Sequence, residues 1–234
     1  MKSALRRAAW LAALLSVGAV QAQSQNLPST VTRIVDGPDG GHAFGAAAFL
    51  KAPVDLAAIG YTEEEYLFGG QAGVYRYDGD AAKVAAVGTY ADRMLIRRPS
   101  DPSRFSGNVV FEATNGVINQ DGLLAWTLMS RQIVHEGDIL VSISTTPYAL
   151  QSLRNFNQSR YGKLGFNNAP GYCGEGSGEL GLVYDVLTQA ANLLRQTDLQ
   201  RNPLHGLPVR HIYAFGYSEP ALVLTTYLSS IVPT

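Results

Sequence analysis

Between Asn108 and Ile231 short apolar runs alternate with longer stretches of helical period, and this alternation restricts the fold more than any other feature of the chain. Asn108–Ala113 and Asp138–Ser144 are compact apolar runs, the pattern of buried central strands. Between them, Leu123–His135 spaces its apolar residues at helical intervals and stops at Gly137, a residue suited to ending a helix. Gly178–Gln196 carries Leu180, Val183, Leu187, Ala190, Ala191 and Leu194 on one stripe, which predicts an amphipathic helix. His211–Phe215 is the last predicted strand and Ala221–Ile231 the last predicted helix. Strands that alternate with helices need crossover connections, and crossovers produce parallel neighbours covered on both faces. An α/β fold with a mostly parallel central sheet is expected.

The first half is less regular. Gln23–Gly60 is rich in Pro, Gly and Ala, and predicts an irregular leader packed over the domain. Glu64–Phe68 and Val74–Tyr77 are predicted strands on either side of Gly69-Gly70, and Tyr90–Arg97 is another, with Met94, Leu95 and Ile96 inside and its arginines outside. Leu150–Phe166, polar and aromatic, predicts a short helical excursion over the strand ends.

Ahead of the leader, Lys2, Arg6 and Arg7 precede an uncharged apolar stretch, Ala8–Val20, that ends in Val20-Gln21-Ala22. Such a segment predicts a secretory signal peptide cut after Ala22, since it falls short of the ~20 residues needed to span hydrocarbon. The expected organisation is therefore a signal peptide at 1–22, a leader at 23–60 and one domain at 61–234, secreted or periplasmic and free of the membrane after cleavage. With 16% charged residues and a net charge of -1, the chain lacks the basic patch that nucleic acid requires. Its single cysteine, Cys173, excludes an intrachain disulfide and a Cys-based metal site.

Chemistry concentrates in one place. Gly216-Tyr217-Ser218-Glu219-Pro220 joins the last strand to the last helix and is one residue away from the G-x-S-x-G nucleophile elbow. A serine hydroxyl needs exposure at the carboxyl end of a sheet to act as a nucleophile, and a sharp strand-to-helix turn provides it. Gly216 leaves room for that turn, the Glu219 N–H would face a developing oxyanion, and Pro220 fits the first helical turn, where no N–H is needed. The competing reading is that Ser218 simply caps the helix. A second oxyanion donor is expected in the loop after Asn108–Ala113, from the backbone N–H of Asn115 or Gly116.

Three stretches carry a family likeness: Tyr90–Pro99 followed by Asp101–Gly107; Val109–Glu112 with Asn115 just after; and Gly216 through Pro233. The chain resembles the α/β-hydrolase superfamily, and within it a group of secreted bacterial α/β-hydrolase domain proteins. Their elbow resembles Gly-x-Ser-Gln-Ser-Ala, so Glu219 stands where Gln is usual and Pro220 where Ser is usual. The resemblance implies a serine esterase or related hydrolase, with Ser218 as nucleophile, a small ester-like substrate, and neither metal nor organic cofactor.

In that fold the order along the chain is nucleophile, acid, histidine. Only 16 residues follow Ser218, and they hold no histidine and no carboxylate but Glu219. His42, His135, His205 and His211 all come earlier and read as structural, His42 being the one a folded-back leader could still deliver. The expectation is a C-terminally truncated hydrolase fold that lacks its last strands, its acid and its base, with His211–Phe215 left as a sheet edge. Gly176–Gly181 matches G-x-G-x-x-G, but the loop before it is not a strand, so a dinucleotide site is not predicted. The acidic turns Asp78-Gly79-Asp80 and Asp36–Asp39 lack the ligand set of a calcium loop.

Overall fold

The computed structural model describes residues 27–37, 41–79, 81–116, 121–167 and 180–232. The predicted signal peptide (1–22), Cys173 and most of the Gly176–Gly181 motif lie outside the described residues. Among the described residues seven strands form a mixed sheet: β1 (Thr30–Ile34), β2 (Tyr61–Asp78), β3 (Ala81–Pro99), β4 (Asn108–Thr114), β5 (Ile139–Ser144), β6 (Gly165–Phe166) and β7 (His211–Gly216). Their order is β1-β2-β3-β5-β4-β7, with β6 beside β3. From β1 to β5 the neighbours are antiparallel, while β4 runs parallel to both β5 and β7. Among the described residues five α-helices accompany them: α1 (Leu124–Glu136), α2 (Pro147–Phe156), α3 (Gln158–Tyr161), α4 (Val183–Leu194) and α5 (Glu219–Thr226).

Alternation along the strands divides the core into two layers. On β4, Val109, Phe111 and Ala113 join Leu187 of α4 and Leu224 of α5, whereas Val110 faces Ala125, Trp126 and Ile133 of α1. Helices therefore cover both faces, as the sequence predicts. From β4 the chain passes under α1 to β5 on one side; from β5 it returns over the other face to β7 on the opposite side of β4. The connections leaving β4 and β7 thus turn to opposite faces, and the crevice outside the carboxyl ends of two such strands is where an open α/β sheet binds ligands.

Several local expectations are corrected. Gly69-Gly70 does not separate two strands; β2 runs through it as one continuous 18-residue strand. The glycines are there for close approach, because a Cβ on Gly69 would lie 2.6 Å from the Tyr90 carbonyl and one on Gly70 3.0 Å from the Ser29 nitrogen. The leader is not wholly irregular, since Thr30–Ile34 pairs with Glu65–Gly69. Arg93 and Arg97 do not face solvent: each is 1% exposed. Leader carbonyls reach down to them, Phe44 to Arg93 at 3.0 Å and Gly45 to Arg97 at 2.7 Å, while Glu65, Asp121 and Glu63 supply the countercharge. Alternation alone reads an arginine as outward; buried carboxylates on other segments reverse that.

β7 has one strand neighbour among the described residues, β4, and Tyr213 and Leu222 are 55% and 70% exposed beside that edge.

Candidate active site

Register brings the chemistry together. Ala113 pairs with Gly216, so the residues following β4 and β7 emerge side by side at the carboxyl edge of the sheet. Ser218 stands at the junction of β7 and α5 with φ 65° and ψ -120°, a conformation that L-residues avoid unless their surroundings impose it. Its side chain is exposed and makes no capping hydrogen bond to α5, which removes the capping role as the reason for a serine here. Gly216 has no room for a side chain: its Cβ would lie 2.9 Å from Leu224 Cδ1 and from the Pro220 carbonyl carbon. Pro220 is buried in the first turn of α5, where it displaces no hydrogen bond.

The loop after β4 is tied to this turn: the Asn115 side-chain amide donates to the Tyr217 carbonyl at 2.9 Å. Burial pushes the Glu219 pKa up, and its Oε2 atom is buried with no hydrogen-bond partner. The backbone N–H of Asn115 goes to the Gly122 carbonyl at 3.2 Å, and the Gly122 N–H returns to Asn115 at 2.9 Å, closing the loop like a short hairpin. The Asn115 N–H, one of the two expected as oxyanion donors in this loop, is thus engaged inside the protein in this structure.

Beneath the loop lies a buried charge network that the sequence does not reveal. Asp121 accepts from the Thr114 and Ser144 hydroxyls at the ends of β4 and β5, the latter at 3.0 Å, and faces Arg93 at 3.3 Å. Arg93 also meets Glu65, which is held in turn by Arg160 and by the Tyr161 hydroxyl, both at 2.6 Å. Asp92 beside it is fully buried, and desolvation raises its carboxyl well above the ordinary range. Glu112 serves a neighbouring helix: its carboxylate accepts from the Ala125 N–H at 2.7 Å and the Ser142 hydroxyl at 2.6 Å, capping α1, whose own N-cap residue Leu123 offers no acceptor.

The histidines have partners elsewhere. His42 stacks on Phe49 at 3.6 Å, His135 pairs with Glu136 at 3.1 Å, and His205 lies 3.4 Å from both Tyr66 and Glu64. His211 begins β7, about 20 Å from Ser218 at ~3.3 Å per strand residue.

Residues 26–234 match the family model described as Alpha/beta hydrolase domain. The chain belongs to the alpha/beta hydrolase family. It matches no curated protein and no solved structure. Asn115 and Gly116, after β4, and Ser218, after β7, lie together at the carboxyl edge of the parallel strands.

Proposed function

We propose that this alpha/beta hydrolase is a serine hydrolase of esterase type, with Ser218 as nucleophile. The observation that carries the reading is the strained, exposed Ser218 at the strand-to-helix turn, with no capping bond to explain it. Ser218 Oγ would form an ester with the acyl group of a small substrate while the acyl–alcohol bond breaks and the serine proton leaves with the alcohol; water then releases the acid. The Glu219 N–H, at the first turn of α5, and the N–H groups of Asn115 and Gly116 are the proposed oxyanion donors, that of Asn115 after rearrangement of its present bond to Gly122. With all four histidines held elsewhere, the chain as described acylates slowly. The signal-like N-terminus supports a secreted or periplasmic setting.

A second reading is a binding protein that keeps the hydrolase fold without turnover, favoured by the internal engagement of the Asn115 N–H. A fluorophosphonate probe separates the two. Labelling that disappears in Ser218→Ala is expected of a hydrolase; a folded protein left unlabelled at long exposure is the result that favours the binding reading.

A further inference from the structure

We propose that Asp121 is a positioning residue for Ser218: from beneath the loop after β4 its carboxylate fixes the Asn115 side chain, and that side chain holds the strained turn that presents the nucleophile. The inference rests on the acyl-transfer reading above and names a residue that acts on the same site without touching it.

The carboxylate sits where the two ends of the loop meet. Asn115, next to Thr114, and Gly122, next to Asp121, exchange backbone hydrogen bonds: the Asn115 N–H donates to Gly122 at 3.2 Å and the Gly122 N–H donates to Asn115 at 2.9 Å. Across the same junction Asp121 Oδ1 accepts the Thr114 hydroxyl of β4, together with the Ser144 hydroxyl of β5 at 3.0 Å. Its Oδ2 faces Arg93 of β3 at 3.3 Å. The Thr145 hydroxyl adds a bond to the Thr114 carbonyl at 2.9 Å. One side chain thus anchors the loop to three strands. Asp121, Thr114 and Ser144 are all buried, so water does not compete for these contacts.

The junction calls for a carboxylate. Two hydroxyl donors and a guanidinium converge on it, and a carboxylate accepts on both oxygens. An amide there would still accept the hydroxyls but would turn its NH2 toward Arg93, donor against donor. The loop has to shift to relieve that contact.

A shift of the loop reaches Ser218 by a short path. The Asn115 side-chain amide donates to the Tyr217 carbonyl at 2.9 Å, and Ser218 follows at φ 65°. A residue in that region keeps its conformation only while its surroundings impose it. Gly116 is seated as well: a Cβ there would run into Thr146 Oγ1 and lie 3.2 Å from the Ala149 nitrogen, so Asn115 is held from both sides.

Two measurements on the whole protein test this. The rate of Ser218 phosphonylation by a fluorophosphonate, read where urea curves show every variant folded, should fall about 10-fold in Asp121→Asn and in Asn115→Ala, because small misplacements of a reacting group are costly. The double variant should be no slower than the slower single one, since both changes cut one path; a purely structural role for Asp121 gives effects that multiply. In 15N-labelled protein, Asp121→Asn should displace the Ser218 amide resonance and speed exchange of the Gly122 N–H. It should leave the Ser218 resonance in place when Asn115→Ala is already present. Where Asp121→Asn does not fold, Thr114→Val removes the hydroxyl donor at similar volume and should reproduce the loss, while Thr114→Ser restores the rate. Effects that multiply overturn the proposal, as does a parental rate with an unmoved Ser218 amide in Asp121→Asn. If the parent itself is not labelled at Ser218, the acyl-transfer reading falls, and the Ser218 and Gly122 amides decide whether Asp121 holds the turn.

Discussion

The Asn115 side-chain amide donates to the Tyr217 carbonyl at 2.9 Å, which fastens the loop after β4 to the residue immediately before Ser218. The bond joins positions 102 residues apart in sequence and holds the strained turn from outside. Asn115→Ala should cost about 1 kcal/mol of stability, the ordinary worth of one such hydrogen bond. Its effect on Ser218 labelling should be larger than that stability loss accounts for, because the turn loses its tether. Urea unfolding alongside labelling rates checks this, and an unchanged labelling rate would show that the tether does not position the nucleophile.

Ser218 itself offers a sharper comparison. A residue at φ 65° is strained for any L-side chain and relaxed for glycine. Ser218→Gly should therefore be more stable than Ser218→Ala by about 1 kcal/mol, with probe labelling absent from both. Equal unfolding midpoints for the two variants would mean that the turn carries no backbone strain.

Removing Arg93 should be among the most damaging single changes. It is 1% exposed and faces Glu65 at 3.1 Å and Asp121 at 3.3 Å. Arg93→Met fills similar space but takes the facing cation from buried Asp121 and leaves Glu65 with Arg160 alone, at an expected cost of about 3–5 kcal/mol. Asp121→Asn keeps the Thr114 and Ser144 contacts within reach and should cost less. Paired denaturation curves would rank the two, and a mild Arg93→Met would show that the network does not depend on this cation.

The pH dependence of stability follows from Asp92. Burial raises its carboxyl well above the free value of 3.8, so the folded protein binds this proton more tightly than the unfolded chain does. Stability from this group is present at low pH and declines as pH rises from about 4 through the raised folded value, by up to ~1.4 kcal/mol per pH unit. Glu112 and Glu219, also raised chiefly by burial, act in the same direction. Glu64 acts oppositely: burial raises its pKa but Arg98 and Arg33 outweigh it, so its stabilisation is lost only below the free value of 4.5. Asp92→Asn should flatten the decline between pH 5 and 7 and match or exceed the parent at pH 7. Thermal midpoints at several pH values test this, and parallel profiles for parent and variant would remove Asp92 as the cause.

Much of this protein is fixed locally. Val109, Val110 and Phe111 are apolar on both sides of a strand because helices cover both faces, and the stripe from Val183 to Leu194 is periodic because one side of α4 meets the sheet. Those patterns are written in neighbouring residues and can be read without a fold, as can the Gly-Tyr-Ser elbow, whose turn leaves no space beside Gly216.

What the tertiary structure decided is what depends on residues far apart in sequence. Gly69-Gly70 is a turn signal by composition and a close strand contact in fact, because Ser29 and Tyr90 approach it. Arg93 and Arg97 look outward by period two, and Phe44, Gly45, Glu63, Glu65 and Asp121 draw them in. The Asn115 side-chain amide looks free along its own loop until the Tyr217 carbonyl, 102 positions on, accepts it. Period and turn chemistry are properties of a few successive residues; a buried charge or an engaged N–H is set by whichever segment folding brings against it.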